Sequence, residues 1–138
     1  GNNVELFVIG PSESPIDNQV DGYHFIGQIP FIEEAKYYNM CDVFCLPSYF
    51  EAYGLVFVEA LTFGLPCIGR NCYEMPYFIE EGRTGLLLHD DDPEELASLM
   101  QQALESDDLS ANVASRHDRY VHEYSWDAVA ERIAKVIG

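Results

Sequence analysis

Along the chain, short apolar runs alternate with stretches in which apolar residues recur every three or four positions. Residues 4–9 form a predicted strand stopped by Gly10 and Pro11, and a polar loop rich in Ser, Pro and Asp follows. Tyr23, His24, Phe25 and Ile26 form a second strand that stops at Gly27, and residues 31–40 read as a short helix. The run 42–46 is almost continuously apolar, the pattern of a strand covered on both faces. Residues 54–63 return to helical spacing, with Val56, Phe57, Ala60, Leu61 and Gly64 on one stripe. Short strands at 66–69 and 85–88 flank a helical turn at 77–81.

The remainder is predicted helix. Asp92, Pro93 and Glu95 mark a start: an N-cap acid, a proline in the first turn, and a glutamate three residues beyond the cap. Leu96, Leu99, Met100, Ala103 and Leu104 supply its apolar face. Residues 110–123 form a weaker helical segment, and Ser125 caps a last helix whose apolar face is Trp126, Val129, Ile133 and Val136 or Ile137. Alternating strands and helices with buried strands predict an α/β domain, a Rossmann-like, doubly wound parallel sheet.

Composition narrows the function. The 138 residues hold 9 Tyr, 8 Phe and one Trp, and 48% are hydrophobic, so a packed domain is expected rather than disorder. Seven Lys+Arg against 24 Asp+Glu give a formal charge of −17. Such a surface repels nucleic acid and anionic bilayers, and admits a small anion only where donors are concentrated. Cys41, Cys45, Cys67 and Cys72 lie in or near apolar runs and read as reduced, buried thiols rather than a zinc site. With no signal peptide and no apolar stretch of about 18 residues, a cytoplasmic protein is expected. The acids of His89-Asp90-Asp91-Asp92 read as helix capping rather than a cation site, and Tyr37, Tyr38, Phe78 and Ile79 as core.

Candidate chemistry gathers after the strand ending at Leu46, where Pro47-Ser48-Tyr49-Phe50-Glu51-Ala52-Tyr53-Gly54-Leu55 leads into a helix. In an open parallel sheet, ligands bind beyond the carboxyl ends of strands. A helix N-terminus there offers free N–H groups to a phosphate or to sugar hydroxyls, and Gly54 permits close backbone approach. Glu51 precedes the helix, and Glu59, flanked by Val58 and Ala60, is its one charged residue. Vicinal hydroxyls such as those of a ribose would satisfy both oxygens of Glu59. The plainer alternative, a cap-region acid and a solvated glutamate, stands beside this reading.

The run Pro47-Ser48, Glu51, Tyr53-Gly54-Leu55, Glu59-Ala60, Gly64 and Pro66 resembles the E-x7-E region of retaining glycosyltransferases built from two Rossmann-like domains, the GT-B architecture. The match is to the group 1 family (glycosyltransferase family 4), whose C-terminal domain binds a nucleotide-sugar donor. Phe25-Ile26-Gly27-Gln28-Ile29, Asp42-Val43, Glu81-Gly82, Gly85-Leu86-Leu87 and Tyr124-Ser125-Trp126 extend it over almost the whole chain. The resemblance implies that Glu51, as the catalytic residue, faces the donor sugar or the transferred centre. It implies that Tyr53 shapes the turn, that Gly54 and Leu55 offer amides, that Glu59 holds the ribose, and that Gln28 and Ile29 flank the base. Transfer would proceed with retention and without a metal or other cofactor. The acceptor, a sugar, lipid-linked sugar or other small molecule, stays open, as does a membrane-peripheral location for a larger enzyme.

Two departures qualify the match. Relatives place an Arg and a Lys near the start of this domain to hold the diphosphate, whereas Lys36, Arg70, Arg83, Arg116, Arg119, Arg132 and Lys135 all lie elsewhere. The whole chain, residues 1–138, is therefore expected to be a partial donor-binding C-terminal domain. It would work with an acceptor-binding N-terminal domain of the same enzyme and transfer nothing alone. Relatives also carry paired glycines and a glutamate near residues 70–77, where this chain has Tyr73, Glu74 and Tyr77. Arg70 reads as a solvated loop residue, with a cation beside the site as the alternative. Two other functional classes remain: a non-catalytic nucleotide- or sugar-binding module, and a structural interaction domain.

Overall fold

A computed structural model describes residues 3–10, 13, 20–51 and 53–138. Apart from Glu13, the polar loop expected after Gly10 lies outside the described residues up to residue 19, as does Ala52. The chain divides into two compact units, residues 1–40 and 41–138, each described by itself.

In the first unit, β1 (Leu6–Ile9) and β2 (Tyr23–Gly27) pair in parallel, with Leu6 opposite Tyr23 and Val8 opposite Phe25. Glu5 bonds to His24 beside this ladder, and the His24 ring stacks on Phe7 at 4.9 Å. Helix α1 (Phe31–Met40) has the predicted bounds. The two tyrosines expected in a core, Tyr37 and Tyr38, are half-buried, and Phe31 and Ile32 are exposed. Residues 28–30 join β2 to α1.

The second unit is a three-stranded parallel sheet in the order β3 (Phe44–Leu46), β4 (Cys67–Arg70), β5 (Gly85–Leu88). Parallel pairing throughout is what the alternating pattern predicts. Helix α2 (Leu55–Thr62) returns the chain from β3 to β4. Its stripe of Phe57, Ala60 and Leu61 is buried, and Phe57 meets Phe44 edge-on at 5.6 Å. Strand β3 is shorter than the predicted run and only half-buried, whereas β5 is buried along its whole length. On one side of the sheet Ile68, Leu86, Ala103 and Leu109 form a cluster against Leu96, Leu99 and Met100.

Helix α3 (Met75–Phe78) starts two residues before the predicted turn, because Pro76 occupies the first turn, where no amide donor is needed. Phe78 is half-buried, Ile79 fully so. Asp92 caps α4 (Pro93–Glu105), its carboxylate accepting from the Glu94 amide at 2.9 Å. Glu95 reaches farther back than a capping box requires and accepts from the amides of His89 at 3.1 Å and Asp90 at 2.9 Å. These two bonds hold its carboxyl below the usual range.

The predicted segment at 110–123 is two helices, α5 (Asp107–Ala114) and α6 (His117–Glu123), and Ser106 caps the first. Arg116 between them donates to Glu80 at 2.6 Å. Ser125 caps α7 (Trp126–Ile137) as expected, accepting from Ala128 at 3.2 Å. The apolar face read for α7 is largely uncovered, with Trp126, Ile133, Val136 and Ile137 all exposed. Cys67 is buried and its thiol points to the carbonyls of Leu65 and Phe57 at 3.5 and 3.8 Å. Burial pushes the Cys45 thiol up to about 12. No helix among the described residues is long and apolar enough to cross a membrane.

Close approach between β4 and β5 depends on Gly85, where an added β-carbon would lie 1.9 Å from the Cys67 carbonyl oxygen. Gly85→Ala is expected to cost at least about 3 kcal/mol, since the obstacle is backbone that cannot rotate away. Gly10→Ala meets nothing within 4 Å and is expected to change stability by less than about 1 kcal/mol. Urea unfolding of the two variants beside wild type measures both.

Candidate functional site

The carboxyl ends of the three parallel strands deliver the chain into three loops: 47–54 after β3, 71–74 after β4 and 89–92 after β5. The first of these carries the predicted residues. Gly54 is the N-cap of α2 and lies in the left-handed region, with φ 59° and ψ 18°. Its carbonyl accepts from the Phe57 amide at 3.0 Å, closing the first turn. The Leu55 and Val56 amides therefore open the helix without intrahelical acceptors, at the positive end of its dipole. Two constraints demand glycine here. A side chain resists this φ, and an added β-carbon would stand 2.6 Å from the Phe78 ring.

Glu51 is half-buried in the loop, and Glu59 is half-buried on α2, between the buried Val58 and Ala60. Glu59 is four residues beyond Leu55 and thus one turn farther along the same helix face. The structure brings Glu51, Tyr53, Gly54, Leu55 and Glu59 into a single strand–loop–helix segment. Tyr53 and Leu55 are exposed, whereas Gly54 between them is buried, with the Phe78 ring against it. Gln28, exposed, and Ile29, half-buried, follow β2 in the first unit and are no part of this segment.

What holds the loops together was not among the predicted site residues. Arg70, the last residue of β4, donates from Nε to the Pro47 carbonyl at 3.2 Å and from a terminal nitrogen to Asp91 at 3.2 Å. Its guanidinium lies 4.0 Å from the centre of the Tyr49 ring, and the Tyr49 hydroxyl donates to the same carboxylate. One side chain thus ties together the loops that follow all three strands. With only 14% of its side chain exposed, Arg70 is not the solvated loop residue that the sequence suggests. Nor is it a free cation, because Asp91 already neutralises it. The Tyr49 hydrogen bond, with Arg70 next, holds the Asp91 carboxyl below its ordinary range.

The loop after β4 is bound further. The Cys72 thiol faces the Tyr49 carbonyl at 3.7 Å, and the Asn71 amide donates to the Leu88 carbonyl at 2.8 Å. Asn71 also bonds the His89 ring at 2.9 Å, and His89 bonds Glu81 at 2.9 Å. That Glu81 bond raises the His89 pKa. Tyr73, exposed in this loop, has φ 49°, and its ring meets Phe50 edge-on at 5.6 Å. The only sequence signals for these partners are a charged residue closing an apolar strand and aromatics clustered on either side of Glu51.

Among the described residues, no group of three or more His, Cys, Asp or Glu is arranged to hold a metal ion. A polar depression of about 670 Å³ lies where α4 meets α5, between Ser98, Gln101, Gln102, Glu105 and Asp107. It sits at the opposite end of α4 from the strand-end loops and has few apolar walls. Glu105, Asp107 and Asp108 line it, so it repels an anionic ligand.

The Arg70–Asp91 pair predicts an acid-side dependence. A depressed carboxyl pKa adds stability that is present above the unfolded value and lost as pH falls through the folded one. Thermal midpoints of wild type are expected to fall more steeply between about pH 5 and pH 3 than those of Asp91→Asn. Parallel curves would show the pair to be inert.

Comparison with known proteins gives this geometry a context. Residues 1–120 match the family described as glycosyl transferases group 1. A D-inositol 3-phosphate glycosyltransferase of Corynebacterium jeikeium is 29% identical over 99% of this chain and 32% of its own length. A phosphatidyl-myo-inositol mannosyltransferase of Mycolicibacterium smegmatis is 27% identical over 97% of the chain and 36% of its own. Among solved structures, a sucrose-phosphate synthase from Thermosynechococcus elongatus superimposes with a TM-score of 0.77 at 26% identity, covering 96% of this chain and 37% of that one. The glycosyltransferase WaaG, involved in lipopolysaccharide biosynthesis, gives 0.64 at 24% identity over 83% and 34%, and so speaks for the fold alone. The chain thus spans little more than a third of the length of these proteins at most. With the family matched over residues 1–120 and an α/β fold of parallel strands like the Rossmann-like halves of GT-B enzymes, the chain belongs to the group 1 glycosyl transferases.

Proposed function

We propose that this chain is the donor-binding part of a glycosyltransferase that moves a sugar from a nucleotide-sugar with retention of configuration. The observation that carries the reading is the pair of half-buried acids, Glu51 and Glu59, on either side of a left-handed glycine whose following amides start a helix beyond the carboxyl end of β3. In this reading the Gly54–Leu55 amides take the distal phosphate or sugar hydroxyls, and Tyr53 shapes the turn. Glu59 accepts the two ribose hydroxyls, Glu51 faces the transferred sugar, and Gln28 and Ile29 border the base. Family membership favours an enzyme over a purely structural domain.

The chemical demand is electrostatic. As the sugar departs, negative charge grows on the diphosphate, and donors already oriented toward it lower the barrier without a metal being required. The α2 amides supply part of this. Among the described residues, Arg70, Arg83, Arg116 and Arg119 are held in salt bridges with carboxylates. The remaining compensation, and the acceptor, belong in this reading to an N-terminal domain of the same enzyme.

Calorimetric titration with UDP, GDP and ADP is expected to show binding of one of them, and Glu59→Gln to weaken it by about tenfold, near 1.4 kcal/mol, a larger effect than its effect on folding stability. Unaltered affinity in that variant would remove the ribose role. Sugar transfer is expected only when the chain is joined to an acceptor-binding domain, and Glu51→Gln should then lower turnover by at least about a hundredfold with little effect on nucleotide binding. Efficient transfer by the chain alone would contradict the division of labour.

A further inference from the structure

Phe50 and Tyr73 are unexplained by packing. Each ring is exposed, 69% for Phe50 and 70% for Tyr73, yet the two meet edge-on with centroids 5.6 Å apart and planes at 82°. They come from different strand-end loops, so neither helix nor strand periodicity pairs them. Tyr73 is, among the described residues, the one non-glycine residue with positive φ, at 49°. A bulky side chain in that region costs free energy that glycine would avoid, and such strain persists only where the surroundings enforce it. The surroundings do enforce it: Cys72 bonds back to the Arg70 carbonyl at 2.8 Å, Asn71 to Leu88, and the Cys72 thiol faces Tyr49, the residue before Phe50. Two solvent-facing aromatics are thus held on rigid supports next to Glu51.

We propose that Phe50 and Tyr73 form a platform for the pyranose ring of the donor's transferred sugar; the proposal rests on the donor-binding reading above and deepens it. A pyranose has a face of C–H bonds carrying weak positive charge, which matches the electron-rich face of an aromatic ring. Its hydroxyls point outward around the rim, where a carboxylate can accept from them, and Glu51 follows Phe50 directly in the chain. Charge supports a neutral occupant. With a formal charge of −17, the protein repels anions wherever it lacks concentrated donors, and neither ring of the pair is a strong donor. The nucleotide's phosphates go to the α2 amides and the uncharged ring to the aromatics.

Calorimetry on the full chain tests this with paired ligands: UDP and UDP-glucose, GDP and GDP-mannose, ADP and ADP-glucose. The measured quantity is the ratio of sugar-nucleotide to nucleotide affinity for whichever pair binds. Wild type is expected to prefer the sugar nucleotide, and Phe50→Ala and Tyr73→Ala each to reduce that preference roughly fivefold, the scale of one aromatic contact, with nucleotide affinity unchanged. Tyr73→Phe should retain the preference. Tyr73→Gly should lose it while its thermal midpoint stays equal or rises, a combination that a merely structural residue would not produce. The platform is overturned if the variants keep the wild-type ratio, or if wild type shows no preference for the sugar. It is also overturned if nucleotide and sugar nucleotide weaken together, which would mean that the rings stack on the base. Failure of wild type to bind any nucleotide or sugar nucleotide would instead overturn the donor-binding reading, and the platform with it.

Discussion

A β-carbon has no place at residue 54. The left-handed backbone there turns the chain from the β3 loop into α2, and the Phe78 ring closes against it from α3. This one packing constraint decides where the first free amides of α2 emerge, how far Glu51 stands before them, and which face of the helix carries Glu59. Arg70 completes the arrangement from the other side, fastening the loops of all three strands through Pro47, Tyr49 and Asp91. The candidate site is thus a stiff edge built from backbone and clamped loops, rather than a hollow carved in the core. Stiffness suits catalysis by oriented donors, which gains from groups that need not move as charge develops.

The same edge shows how a strongly acidic protein can approach an anion. Its surface charge works against phosphate, and the salt bridges of Arg70, Arg83, Arg116 and Arg119 use their charge internally. Peptide dipoles at a helix start carry no net charge, so they attract phosphate without disturbing that balance. Spacing matters for the acids: Glu51 stands outside the helix, whereas Glu59 is one turn beyond Leu55, where the dipole's hold on an anion has faded.

Periodicity carried most of the fold. The bounds of α1 and β5 follow directly from where apolar spacing starts and stops, and the caps at Asp92 and Ser125 are local side-chain chemistry readable from three or four residues. The Glu51–Glu59 segment was legible for a similar reason, being continuous in the chain. Arg70 with Asp91 was not, because partners 21 positions apart on different loops leave no spacing signature. The left-handed Tyr73 was hidden too, since its φ is imposed by bonds that its neighbours make and not by its own side chain. In α7 the pattern correctly marks an apolar face, but amphipathicity says which side is greasy and not whether anything lies over it.

The two strand cysteines bear on how this fold can be watched. A thiol reacts as its anion, and burial suppresses that anion in Cys45 and, more strongly, in Cys67. Cys67 is sealed between the central strand and α2, so an alkylating reagent reaches it only when the sheet opens. Its modification rate is therefore a built-in clock for breathing of the parallel sheet, readable by mass spectrometry with no label added to the loops at the strand ends.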